Sequence, residues 1–153
     1  MKKFVKFFAV ALTVFAFSGC GNSTANIDVN TVYSGISPMA EGTLVAMKDN
    51  YISNYYGIDV ADLDQYVFAQ SEDPKSAETI IVFKCSDKAK RAEYKKAVEN
   101  AMNQKYDELS NYDLPEEAKL VKDAKVHSEG DIVYLVISDN AKYMNKIIKD
   151  SIS

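Results

Sequence analysis

Apolar side chains in the second two-thirds of the chain switch between a spacing of two and a spacing of three to four, and each switch marks an element. Asp49 to Tyr56 reads as a short helix ended by Gly57, with Ile52, Tyr55 and Tyr56 sharing a face. Leu63 to Gln70 is a strand in which Tyr66 and Phe68 alternate with Val67 and Ala69. Ser71 to Ala77, containing Pro74, is a loop, and Thr79 to Cys85 is a strongly apolar strand. Asp87 caps a long helix to about Leu109, along which Tyr94, Val98, Met102, Tyr106 and Leu109 form a stripe. Asp113-Leu114-Pro115-Glu116 has the form of a capping box for a short helix to Leu120. Lys125 to His127 and Ile132 to Ser138 read as a hairpin turning at Glu129-Gly130. Asn140 to Asp150 follows as an amphipathic helix through Ala141, Met144, Ile147 and Ile148.

The stretch 27–47 carries no such period. Ser37-Pro38 would start a helix well, with Ser as cap and Pro in the first turn, yet Gly42 inside it would cost about 1 kcal/mol. An irregular lead-in is expected. Ile81 to Lys90 lines up with Val133 to Lys142 at an offset of 52 residues, each a strand, then Ser-Asp, then a helix. Shared ancestry and the common need of any helix for an Asp or Ser cap explain the match equally well. Either way the pattern is strand–strand–helix, repeated twice. It predicts an α+β domain over residues 27–153, with an antiparallel sheet of about four strands and the helices on one face.

The first nineteen residues stand apart from this domain. Lys2, Lys3 and Lys6 precede an apolar run from Phe7 to Phe17, broken only by Thr13, which is the length of a signal-peptide core and too short to span a bilayer. The run ends in Phe17-Ser18-Gly19-Cys20, similar to the lipobox of bacterial lipoproteins, with Phe17 where an aliphatic residue is usual. Cleavage before Cys20 would leave it as the first residue, with a diacylglyceryl group on its sulfur. The competing reading is ordinary signal-peptidase cleavage after Ala16-Phe17-Ser18, leaving Cys20 a plain thiol. Residues 20–26 are small and polar, a flexible tether by composition.

Processing changes the charge. Removing residues 1–19 takes away three lysines and leaves 134 residues with 15 basic and 22 acidic side chains, a net charge near −7. Such a balance argues against nucleic acid as a partner, because phosphate contacts need a basic patch. It argues equally against adhesion to anionic lipid by overall charge and leaves membrane attachment to the acyl chains on Cys20, each buried methylene contributing about 0.8 kcal/mol. With Cys20 acylated, Cys85 has no partner in the chain. The alternation of Ile81, Phe83 and Cys85 places its thiol among large apolar residues, buried and inert.

Motifs for catalysis, metal or cofactor are weak throughout. Asp59, Asp62 and Asp64 cluster, but without the Gly and Glu spacing of a calcium loop, so an acidic turn is the expectation. His127, the single His, lies beside a turn without a second ligand and is expected as an exposed hairpin residue. Gly-x-Ser-x-Gly elbows and Gly-rich phosphate loops are absent, and Glu116-Glu117 suits the first turn of a helix. Neither a metal nor a cofactor is expected. The compositional oddity is aromatic: five of seven Phe fall in the leader, leaving Phe68 and Phe83 beside ten Tyr and no Trp. Tyr favours half-buried rims and interfaces, so Tyr51, Tyr55 and Tyr56, within two helical turns, are the candidate contact surface.

Tyr55-Tyr56-Gly57-Ile58-Asp59, Tyr66-Val67, Ile81-Val82-Phe83-Lys84, Tyr112 and Gly130 through Val136 follow in an order that resembles the bacterial lipoproteins carrying domain of unknown function 4358. The resemblance implies a cell-envelope lipoprotein of unassigned activity and carries over no catalytic residue. Two functional classes follow. One is a non-catalytic interaction or ligand-binding module, lipid-anchored on the extracytoplasmic face of the cell membrane, with an envelope protein as a candidate partner. The other is an envelope enzyme with a site assembled from scattered carboxylates and Tyr. The lipobox reading makes the first prediction: the protein partitions with membranes and Cys20→Ala abolishes its acylation. Mass spectrometry of the mature N-terminus checks it; an unmodified Cys20 would refute it.

Overall fold

Asp87 and Gly57 show how local chemistry builds the elements, and a computed structural model describing residues 26–153 shows how they pack. The leader, Cys20 and the tether as far as residue 25 lie outside the described residues. Helix α1 spans Val29–Ile36, followed by a 3₁₀ turn at Ser37–Met39 and a short strand β1, Leu44–Ala46. Helix α2 opens over Asp49–Tyr51 and continues as a π-helix through Ile52–Tyr56, stopping at Gly57 in the left-handed conformation, φ 68°. Then come β2 (Gln65–Ser71), β3 (Thr79–Lys84), α3 (Lys88–Asn111), α4 (Pro115–Asp123), β4 (Val126–Glu129), β5 (Ile132–Ile137) and α5 (Ala141–Ile152).

The five strands form one antiparallel sheet in the order β1-β2-β3-β5-β4. The α+β class is as the sequence predicts. The strand count differs by one, because β1 is a three-residue edge strand too short to show a period. The lead-in also differs: Asp28 caps α1 by accepting from Asn30 N–H at 2.9 Å, and Val29, Val32 and Ile36 bury one face. Asn30, Thr31, Ser34 and Gly35 between them are poor helix formers and obscure that period.

Helices cover both faces of the sheet, not one. Ile81 and Phe83 of β3, with Val133, Leu135 and Ile137 of β5, pack under α2, α3 and α4. Ile80 and Val82, with Ile132, Tyr134 and Val136, point the other way and pack under α1 and α5. All six residues of each central strand are therefore buried. The signal was present in the sequence, since Ile80 to Phe83 and Ile132 to Ile137 run unbroken rather than alternating with polar residues, as strands covered on two sides do.

The internal repeat holds for the strands and ends at the helices. Val82 and Tyr134, equivalent under the 52-residue offset, are direct partners across β3 and β5. Ile81 and Val133, likewise equivalent, share a face. Yet α3 lies on that face and α5 on the opposite one. The two turns differ accordingly. Asp87 is extended at ψ 112° and its carboxylate caps Ala89 and Lys90, whereas α5 starts one residue later on Asn140, at ψ 9° and without a side-chain cap.

Two further details depart from expectation. Asp113 does not cap α4: it takes φ 55° in the turn that closes α3, where Leu114 N–H donates to Leu109 C=O at 3.0 Å, and Pro115 starts α4 unaided. His127 is half-buried rather than exposed, stacked on Tyr134 at 4.8 Å and 15°, and burial pulls its pKa below the ordinary value.

Cys85, just past the end of β3, is a free, fully buried thiol in the core under α2, α3 and α4, its Sγ donating to Asp87 C=O at 3.5 Å, and burial raises its pKa. A polar maleimide should therefore label it only as fast as the native protein opens. Labelling at the rate of an exposed thiol would contradict the register of β3.

Candidate functional site

The sequence singles out Tyr51, Tyr55 and Tyr56, and the structure brings them together at the head of an aromatic series that runs from solvent to the core. Tyr51 is 39% exposed. Its ring stacks on Tyr55 at 5.4 Å and 8°, an i,i+4 pair on α2. Tyr55 meets Tyr56 edge-on at 5.1 Å, Tyr56 meets Phe68 of β2 at 5.5 Å, and Phe68 stacks on Phe83 of β3 at 5.9 Å and 7°. Offset-stacked and edge-to-face contacts of this kind add about 0.5–1.5 kcal/mol each beyond their burial. The π turn at Ile52–Tyr56 sets the spacing that points Tyr55 to the rim and Tyr56 inward.

These tyrosines form one wall of a cleft of about 190 Å³. The second wall is the C-terminal half of α3, through Lys105, Glu108, Leu109 and Tyr112, and the β2–β3 loop closes the third side with Ser71, Asp73, Pro74 and Ser76. That loop is held by its own side chains: Ser71 Oγ accepts from Asp73 N–H at 3.1 Å, Asp73 Oδ1 from Lys75 N–H at 2.9 Å, and Ser76 Oγ from Glu78 N–H at 3.2 Å. Glu117, in the first turn of α4, reaches across to accept from Ala77 N–H at 2.5 Å. Lys105 Nζ donates to Thr79 Oγ1 at 3.0 Å, and Thr79 Oγ1 donates to Ala77 C=O at 2.9 Å. Together these bonds tie the loop to α3 and α4, so the cleft is pre-formed.

Its electrostatics follow from burial. Lys105 is drawn below the ordinary ammonium value chiefly by desolvation, with Glu108 and Glu117 opposing. Burial raises the Tyr55 and Tyr56 hydroxyls, and the carboxylate of Glu108 adds to the effect on Tyr55, with which it shares a hydrogen bond. Tyr51 is raised by burial and by Glu108, while a hydrogen bond with Gln70 acts the other way. A flat apolar wall, one ammonium, the carboxylates of Glu108 and Asp73 and one amide suit a ligand with an apolar face and polar edges.

The acidic cluster is dispersed. Asp59 Oδ1 caps a 3₁₀ turn by accepting from Ala61 N–H at 3.0 Å, and Asp64 Oδ2 accepts from Ser86 N–H at 2.8 Å and Ser86 Oγ at 2.6 Å. Asp62 receives the Lys90 ammonium and the Tyr94 hydroxyl, which hold its carboxyl below the usual range. Among the described residues no group of three or more His, Cys, Asp and Glu comes together as metal ligands would. His127 lies across the sheet from the cleft. Lys105, Glu108 and Tyr112 were not singled out by sequence, although with Leu109 they recur at i, i+3, i+4 and i+7 along one face of α3.

The model of the family described as domain of unknown function 4358 matches residues 38–138. The chain belongs to this family. The matched span takes in all five strands, α2, α3, α4 and every residue that lines the cleft, whereas α1 and α5 lie outside it. No curated protein and no solved structure matches the chain.

The tyrosine wall predicts alkaline lability. Below the usual phenol value of 10.0 both folded and unfolded tyrosines are neutral. Above it the unfolded chain ionises while Tyr55 and Tyr56 resist, so stability is full below about pH 10 and falls as pH rises further. Tyr56→Phe should move the alkaline unfolding midpoint, followed by circular dichroism, to higher pH. An unchanged midpoint would place that hydroxyl in water.

Proposed function

We propose that this chain is a lipid-anchored protein of the extracytoplasmic face of the cell membrane, and that it binds a ligand or an envelope protein in the tyrosine cleft without catalysing a reaction. The anchoring reading is supported by the basic and apolar leader ending in Ser18-Gly19-Cys20. Among the described residues no helix is long and apolar enough to cross a membrane. The observation that carries the binding reading is the stacked pair Tyr51–Tyr55 at the mouth of a cleft whose loop is fastened by Glu117 and Lys105. Rigid aromatic side chains on a pre-ordered wall give contact area at little entropic cost. The desolvated Lys105 beside Glu108 is the feature that favours the alternative, an envelope enzyme, because a displaced ammonium suits proton transfer.

In the full-length chain, a photo-crosslinking residue at Gln70, beside Tyr51, should give a discrete adduct in living cells. Tyr51→Glu should abolish that adduct and lower stability by no more than about 1.5 kcal/mol, the worth of its stack on Tyr55, leaving the domain folded. An adduct that survives Tyr51→Glu, or the absence of any adduct, would overturn the binding reading.

A further inference from the structure

The layer formed by α1 and α5 faces away from the cleft, and its outer surface combines lysines with exposed aromatic and aliphatic side chains. Met144, Ile148 and Ile152 of α5 are buried against the sheet. Its opposite side exposes Lys142, Lys146 and Lys149 along one flank, and Tyr143 and Ile147, 63% and 37% exposed, along the other. Three lysines against the single carboxylate of Asp150, which pairs with Lys146, make this side of α5 basic in a protein whose net charge after cleavage before Cys20 is near −7. A ring with a polar tip, an aliphatic side chain and a row of long cations is the combination that rests at a headgroup boundary.

The chain enters the fold on this same layer. Asn26 and Ile27 line a surface groove together with Ile147 and Ser151. The entry is pinned: Asp28 caps α1, and Val29 N–H donates to Gln65 Oε1 of β2 at 2.9 Å. Cys20 is six residues before Asn26, a reach of at most about 20 Å, against a domain about 35 Å across. A lipid on Cys20 would therefore keep the entry side of the domain nearest the bilayer.

We infer that the outer face of α5, through Tyr143, Ile147, Lys142, Lys146 and Lys149, lies against anionic phospholipid headgroups and turns the tyrosine cleft away from the membrane. This inference rests on the lipid-anchor reading and goes beyond it by fixing which side of the domain meets the bilayer. The cleft follows by geometry, because α2 and α3 pack on the opposite face of the sheet from α5.

The absence of Trp from the chain makes the test direct. Full-length acylated protein carrying Tyr143→Trp is reconstituted into vesicles of phosphatidylglycerol and phosphatidylcholine with brominated acyl chains. The emission of this single indole on α5 should shift to the blue and be largely lost to bromine quenching. In a separate variant, Tyr112→Trp, at a site 78% exposed on the cleft side, the emission should be unaffected. Combining Tyr143→Trp with Lys142→Glu, Lys146→Glu and Lys149→Glu should restore the emission while the protein still floats with the vesicles. Vesicle-bound protein whose α5 indole is unquenched, or in which both reporters are quenched alike, would overturn the orientation and leave the anchor intact. A blue-shifted α5 indole insensitive to bromine would assign the face to a protein contact, and overturn it as well. Protein recovered without lipid would instead overturn the anchor, and this inference with it.

Discussion

The pairing of β3 with β5 is the contact on which the other parts of the domain are built. Six residues of each strand align from Thr79↔Ile137 to Lys84↔Ile132, and all twelve are buried. A ladder with apolar side chains on both faces is stable only when each face is covered, since each exposed large aliphatic side chain forgoes about 1.5–3 kcal/mol. That requirement calls for two helical layers and makes the sheet the middle of a three-layer domain. The neighbouring strands β2 and β4 then extend a surface whose register is already determined, and β1 finishes one edge.

The two layers are built differently because they meet different halves of the same pleat. On one side lie Ile81, Phe83, Val133, Leu135 and Ile137, and the aromatic series from Phe83 through Phe68 and Tyr56 to Tyr51 carries that core outward to solvent. Helices α3 and α4, tied to the β2–β3 loop by Lys105 and Glu117, complete the cleft there. On the other side α1 and α5 close over Ile80, Val82, Ile132, Tyr134 and Val136, with Asn140 Nδ2 donating to Met39 C=O at 2.8 Å to join the start of α5 to the turn after α1. The family match ends at Ser138, before α5, and begins at Pro38, after α1, so the shared domain is the sheet with its cleft-bearing layer.

Much of the candidate site was visible in the sequence and part of it was not. Tyr51, Tyr55 and Tyr56 stood out because a helical spacing and the Gly57 stop are local signals, readable within eight residues. Lys105 and Glu108 did not, because a Lys and a Glu on a long polar helix look the same whether they face water or a cleft. Glu117 read correctly as a first-turn carboxylate, yet its bond to Ala77 spans forty residues and nothing near it announces the partner. His127 read as an exposed turn residue because its neighbour in space, Tyr134, faces it across a hairpin whose register places both on the side covered by α5.

Sequence by itself determined the α+β class, the antiparallel strands and the order of nearly all the elements. The reason is that period, cap and turn act over a few residues: the alternation in β2, the Asp87 cap and the hairpin turn, which falls at Gly130-Asp131, one residue past the expected Glu129-Gly130, each specify their own segment. It also determined that Cys85 is buried, since a strand apolar on both faces leaves its next inward position no route to solvent. Tertiary structure alone decided the side of the sheet to which each helix goes. The two repeated strand-to-helix turns differ by one residue in where the helix starts and by about a hundred degrees in one ψ angle, 112° at Asp87 against 9° at Asn140. Such a difference is settled by which uncovered face remains for α5 once α3 has filled the other, and that is a property of the packed domain rather than of any segment within it.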